Sequence, residues 1–310
     1  MAEKDIMERH LVSYKDVFAD IVNGCIAILT GRHDFPKVKP EDLQDAPART
    51  LYKSGGKLHE QERDVVKLWK PGNTVLCLMG LENQTDVDPD MTLRVFGYEG
   101  GDYRWQLSQK GQPLYPVLTF VLYFGTERRW PEELKNLWDR LNCAAIFRPL
   151  LNNCHLNLLE VASLTESEAS EFTSDFRVIV DYLRQVRQNK DFVPSEQQLV
   201  HIEAVFQLLS VLTGDERLMN FPPIKRGETM TVRNFFGEVR EQGIQIGKAQ
   251  GIQIGEAQGI QIGEAQGFLN ALFSLVGDGL LPLGTAAAKA NMSEEEFKAK
   301  MLAQEKTKES

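Results

Sequence analysis

The stretch Pro116 to Phe124, PVLTFVLYF, is apolar, β-branched or aromatic almost without a break. A strand with one wet face alternates apolar and polar residues, whereas a strand that does not alternate has both faces covered. The chain must therefore carry a sheet with helices packed on each side, an α/β architecture. Its 310 residues are more than one core usually fills, so one enzyme-sized domain with an appendage, or two domains, is expected.

The elements for such a sheet can be read on either side of that run. Tyr14 to Leu29 places apolar residues at 14, 17, 18, 21, 22, 25, 26, 28 and 29, which is helical spacing, and Gly31 follows as a stop. His33 to Gly56, with three prolines, reads as a surface excursion. Glu62 to Trp69 and Thr74 to Gln84 are β-rich and separated by Lys70-Pro71-Gly72-Asn73, which predicts a hairpin with a Pro-Gly turn. Asp88 to Gln112 reads as a helix interrupted at Gly100-Gly101, Trp130 to Leu141 as another helix, and Cys154 to Ala162 as a further strand. The result is a mixed sheet flanked by helices. Ser167 to Arg187 and Ser195 to Gly214 are read as two more helices, the second opened by a Ser195-x-x-Gln198 capping box. Phe221-Pro222-Pro223 reads as a domain edge. The expected organisation is a core over 1–163, a helical extension over 164–222 and a C-terminal region over 223–310.

That last region holds the least ordinary segment. GIQIGKAQ is followed by two copies of GIQIGEAQ and Gly267, placing glycine at every fourth position from Gly243. A solenoid of short strands is one reading; a helix is favoured. Seven glycines cost a helix on the order of 7 kcal/mol relative to alanine, so the helix needs close packing along its small residues. The simplest partner is the same segment of another chain, which predicts a homo-oligomer through residues 243–267. A four-residue spacing drifts opposite to a heptad seam and predicts a right-handed crossing. The rival is packing against the helices at 167–214 within one chain. Thr285 to Ala290 and Ser293 to Leu302, the latter with a Ser293-x-x-Glu296 box, form a helical pair. The pair outwardly resembles a DNA-reading motif, but its acidic second helix favours a cap on the repeat.

Charge and cysteine content narrow the classes further. The net charge is −9, from 35 basic and 44 acidic residues, so any binding to nucleic acid must come from a local basic cluster. Candidates are Lys67, Lys70, Arg94 and Arg104. Cys25, Cys77, Cys143 and Cys154 form no CxxC pair, and Cys154-His155 alone is a weak zinc signal. Tyr115 to Gly125, 11 residues, is far short of the ~20 a spanning helix needs. MAEKDIMERH has charges of both signs and no apolar secretion signal, so a cytoplasmic protein is expected.

The candidate chemistry lies in acids on neighbouring strands. A hairpin between the two β-rich runs brings Asp64 close to Glu82, and two carboxylates in a partly buried site repel unless a divalent cation sits with them. Gln84, two residues after Glu82, points to the same face. Asp16 and Asp20, one turn apart on the first helix, could supply a third acid. The same residues also fit a blander reading, Asp64 as an exposed strand charge and Glu82-Asn83-Gln84-Thr85 as a polar turn.

Several ordered motifs carry a family resemblance. They are Arg63-Asp64-Val65-Val66, Gly80-Leu81-Glu82-Asn83-Gln84-Thr85, Met91-Thr92-Leu93-Arg94 with Tyr98 and Tyr103, and Tyr115-Pro116-Val117-Leu118-Thr119 to Leu122-Tyr123-Phe124-Gly125. Phe18-Ala19-Asp20 with Asn23, and Val38-Lys39-Pro40-Glu41-Asp42-Leu43, add to them. Over roughly residues 14–220 the chain resembles the Rpn family of recombination-promoting nucleases and putative transposases, within the PD-(D/E)XK nuclease superfamily. The resemblance implies a restriction-endonuclease-like core of αβββαβ type that binds Mg²⁺ or another divalent cation and hydrolyses phosphodiester bonds of double-stranded DNA. It implies Asp64 and Glu82 as catalytic metal ligands, Gln84 where the superfamily usually has Lys, and Asp20 as the helix acid; Arg94, from the basic residues named above, is the candidate DNA contact. Glutamine offers neutral hydrogen bonds where lysine offers a charge, which shifts work onto the metal. The alternative is a catalytically inactive nuclease fold kept as a DNA-binding or self-assembly module.

Overall fold

In the computed structural model, which describes residues 3–54, 57–109, 111–141, 143–215, 218 and 230–308, the apolar run becomes an inner strand of a five-stranded sheet. Helices α1 (Glu3–Ser13) and α2 (Lys15–Thr30) come first, then strands β1 (Leu43–Asp45), β2 (Arg49–Ser54), β3 (Lys57–Glu62), β4 (Val65–Trp69) and β5 (Cys77–Gln84). Helix α3 (Met91–Ser108), β6 (Val117–Tyr123), α4 (Leu137–Arg140) and β7 (Asn157–Glu160) complete the sheet region. The sheet order is β1-β4-β5-β6-β7. β4 runs antiparallel to both β1 and β5, while β6 lies parallel to both β5 and β7. The order α2, β1, β4, β5, α3, β6, with the β2–β3 hairpin as a separate ribbon, follows the αβββαβ sequence of elements that the resemblance implies.

The two faces of the sheet are sorted by the period of two along each strand. Val65, Cys77, Met79, Leu81, Phe120 and Leu122 join Val17, Phe18, Ile21, Val22 and Cys25 of α2 in the main core. Val121, Tyr123 and Leu158 turn the other way, onto Met91 and Val95 of α3. β6 is thus covered on both sides, as its lack of alternation requires. The predicted turn joins β4 to β5, and Gly72 takes φ +64 there, a left-handed conformation that glycine adopts without steric cost.

Beyond the sheet lie α5 (Glu166–Ala169), α6 (Phe176–Arg187), β8 (Gln198–Leu199), α7 (Ile202–Thr213), β9 (Met230–Thr231), α8 (Val232–Gly277), α9 (Leu283–Lys289) and α10 (Glu294–Lys308). The chain divides into two compact units, Met1–Val239 and Arg240–Ser310. In the first, Val232, Phe235 and Val239 from the start of α8 are buried in the main core. In the second, Leu272, Phe273, Ala286, Ala287 and Phe297 form a small core of α8, α9 and α10, with the Ser293–Glu296 box in place.

Several expectations are corrected. The excursion from His33 includes an edge strand, β1, paired with β4. Helix α3 runs through Gly100-Gly101 without a break, because its other face is anchored by Tyr98, Asp102 and Gln106, all buried. Trp130 to Leu141 holds only one short turn before the four residues of α4. The helix expected from Ser167 to Arg187 is broken between Ala169 and Phe176. Ser195 caps no helix: Gln198 and Leu199 pair with β9, and α7 begins later. There Asp175 Oδ2 accepts from the backbone N–H groups of Val200 and His201 at 2.9 and 2.5 Å, fixing the chain just before the helix. The domain edge at Phe221-Pro222-Pro223 lies outside the described residues.

Candidate functional site

Antiparallel pairing of Val65 with Leu81 puts the next residue back, Asp64, opposite the next residue forward, Glu82. Asp64 stands in a bend just before β4 rather than within the strand. The bend lets its carboxylate reach across the hairpin, where Oδ2 accepts from Asn83 N–H at 2.7 Å. In return Glu82 Oε1 accepts from Asp64 N–H at 3.3 Å. The two acids are thus tied by backbone hydrogen bonds running in opposite directions.

Their environments differ. Glu82 is 1% exposed, and burial, then the neighbouring Asp64 charge, push its carboxyl up to about 8. Arg94 of α3 approaches from above the sheet, with Nη2 3.7 Å from Glu82 Oε2. That guanidinium is aimed by Asp88 Oδ2 at 2.6 Å and by the Tyr98 hydroxyl at 3.0 Å. Arg9 of α1 lies on the other side, Nε 3.8 Å from Asp64 Oδ1. Gln84 is half-buried on the face of Glu82, and its carbonyl accepts from Phe124 N–H at 2.8 Å, which pins the end of β5.

The helix acids stand elsewhere. Asp20 accepts from the N–H and hydroxyl groups of Thr173 and Ser174 at 2.7 to 3.1 Å, closing the break between α5 and α6. Asp16 holds His201 Nε2 at 2.8 Å, with Tyr14 stacked on the imidazole at 3.7 Å. Among the described residues no three His, Cys, Asp or Glu side chains are grouped to hold a metal ion, Cys154-His155 included. The donor set at Asp64 and Glu82 is all oxygen, and Mg²⁺ is usually held by one or two carboxylates with water and substrate phosphate completing its shell. The residues present fit a divalent cation of that kind and do not fit zinc.

Of the basic residues expected to meet DNA, Arg94 is at the site. Lys67 is not available: it is buried on the face of α2, its ammonium 2.5 Å from Asp45 and 5.6 Å from the centre of the Phe18 ring. Strand parity puts Lys67 opposite in direction to Asp64 and Val66.

Residues 66–210 match the family described as "Putative transposase, YhgA-like". This part of the chain is similar to that family. The match is consistent with the resemblance to the Rpn family and spans β4 to α7, Glu82, Gln84 and Arg94 included. Searches of curated proteins and of solved structures each found no match. No helix of the described residues is long and apolar enough to cross a membrane.

Sequence reasoning missed Arg9, Asp88 and Asp102, and quoted Tyr98 and Arg63 only within motifs, without the role of either or the buried pair of Arg63 with Asp102, 2.5 Å apart. A signal existed for part of this set. Arg94, Tyr98 and Asp102 recur at four-residue steps, so one face of α3 carries all three.

Proposed function

We propose that the chain is a metal-dependent DNA endonuclease of the recombination-promoting nuclease and transposase type, acting on double-stranded DNA in the cytoplasm. The observation that supports this most is the Asp64–Glu82 carboxylate pair, joined across the β4–β5 hairpin with Gln84 beside it and Arg94 above, Glu82, Gln84 and Arg94 lying within the matched residues 66–210 and Asp64 just before them. Asp64 and Glu82 would hold Mg²⁺ or another divalent cation, which when bound supplies the Lewis acidity that neutralises charge on a phosphodiester. Gln84 would orient the attacking water through neutral hydrogen bonds. Arg94, half-exposed and fixed by Asp88 and Tyr98, would donate hydrogen bonds to a phosphate oxygen and fix the backbone being cut. Incubation of the purified chain with supercoiled plasmid, with and without Mg²⁺ and beside Asp64→Ala, tests this. Nicking that needs the metal and is lost in the variant supports it; equal nicking by both proteins removes it.

One observation favours a second reading. With no third acid grouped at the site among the described residues and Gln84 in place of a cation, the fold would also serve as an inactive DNA-binding or self-assembly module. Plasmid retardation without cleavage at any Mg²⁺ concentration would select it. Under either reading, the exposed glycine repeat on α8 is proposed to join chains into a homo-oligomer.

A further inference from the structure

Arg63 is 1% exposed, which is rare for a guanidinium and costly unless the charge is paired. Its partner is Asp102 of α3, with Nη2 and Oδ2 2.5 Å apart. Space for it is made by Gly80: a Cβ there would lie 3.1 Å from Arg63 Nη1 and 3.5 Å from Cδ. The guanidinium therefore lies over β5 in the row next to Glu82, two residues along on the same face. Arg63 and Asp64 would point to opposite faces in a regular strand. Here the chain is irregular at both positions, and both side chains reach the face of α3.

We propose that Arg63 is a positioning residue, whose ion pair with Asp102 holds the bend that aims the Asp64 carboxylate at the Asn83 N–H and the Glu82 side chain. The metal role of Asp64 in this statement rests on the reading above; the positioning itself does not. Two features favour this over a merely space-filling pair. Apolar residues of similar volume are usually as stabilising as a buried ion pair, so stability alone does not call for charge here. The helix that supplies Asp102 also supplies Arg94, eight residues earlier on the same stripe, so α3 is keyed at one point to Glu82 and at another to the neighbour of Asp64. The pair also sits near Glu99, whose Oε1 accepts from Thr119 N–H at 3.1 Å and whose carboxyl is raised by burial, with Thr119 and then Arg63 opposing it.

The test uses the full chain with Arg63→Met/Asp102→Leu, which replaces the pair by apolar bulk, and with Arg63→Lys, which keeps the charge. Amide hydrogen exchange of Asn83, read by NMR without metal, reports whether the Asp64 carboxylate still accepts its proton. The double variant should melt no lower than the parent yet exchange Asn83 at least about tenfold faster, and bind Mn²⁺ at least about tenfold more weakly; Arg63→Lys should keep the protection. Parental protection at Asn83 in the folded double variant overturns the proposal. If the double variant fails to fold, Asp102→Asn, which removes the charge partner at nearly constant volume, decides: faster Asn83 exchange in that folded variant supports the proposal and parental protection overturns it. A parent that binds no Mn²⁺ overturns the metal reading alone, since the exchange result still decides whether Arg63 positions Asp64.

Discussion

At Glu82, burial and the charge of Asp64 act in the same direction, and Arg94 at 3.7 Å only partly opposes them. The folded chain keeps the proton on this carboxyl up to about 8, against an ordinary value of 4.5. A group that binds its proton more tightly when folded contributes its full stability below the unfolded value and loses it as pH rises through the folded one. Metal-free stability should therefore fall between about pH 4.5 and pH 8, with a slope from this residue of up to about 1.4 kcal/mol per pH unit. Urea unfolding in a chelator at pH 5 and pH 8 measures it, and Glu82→Gln should flatten the profile. Equal slopes in both proteins would mean that Glu82 ionises freely. Asp64→Ala should abolish nicking while leaving the fold intact, because it removes one ligand and also relieves the repulsion within the pair. Its metal-free melting temperature should equal or exceed that of the parent. A variant that still nicks at the parental rate refutes the ligand assignment.

Among the elements, those set by local periodicity were legible before the structure, and those set by distant partners were not. The β4–β5 hairpin could be read from the Pro-Gly turn and two β-rich runs, which already place Asp64, Glu82 and Gln84 together. The break between α5 and α6 could not be read, because its cause is Asp20, 153 residues before Thr173 in the chain. For the same reason Asp20 seemed free to serve the site, whereas the structure gives its carboxylate to Thr173 and Ser174. The start of α7 was misread because the carboxylate that fixes the chain just before it, Asp175, is 25 residues before Val200. Asp20→Ala should accordingly lower stability by about 1–3 kcal/mol through the unmade hydrogen bonds, and leave the Mg²⁺ requirement of nicking unchanged. Denaturation and a Mg²⁺ titration of nicking check the two halves. Lost cleavage with unaltered stability would restore Asp20 to the metal site.

For the whole molecule the open question is what the repeat helix does. Residues 244–268 of α8 are exposed, and a Cβ added at Gly247, Gly251, Gly255, Gly259 or Gly263 would meet nothing within 4 Å. An isolated chain thus has no compensation along this stretch for helix-weakening glycine. Alanine at Gly251, Gly255 and Gly259 should stabilise a monomeric helix by roughly 1 kcal/mol each. In an oligomer built on close backbone approach, the added methyl groups should instead push chains apart. Light scattering and circular dichroism on the triple alanine variant therefore separate the cases. A parental oligomer that the variant converts to monomers supports assembly through 243–267, while a monomeric parent whose helix simply gains stability removes it. A truncation serves as a second measure, and the structure sets where it must end. Met230, Val232, Phe235 and Val239 pack in or against the core of the first unit, so a chain cut near Pro223 would lose part of that core. A chain ending at Glu241 keeps those contacts, and its failure to associate, beside a full-length oligomer, would assign assembly to the segment beyond it.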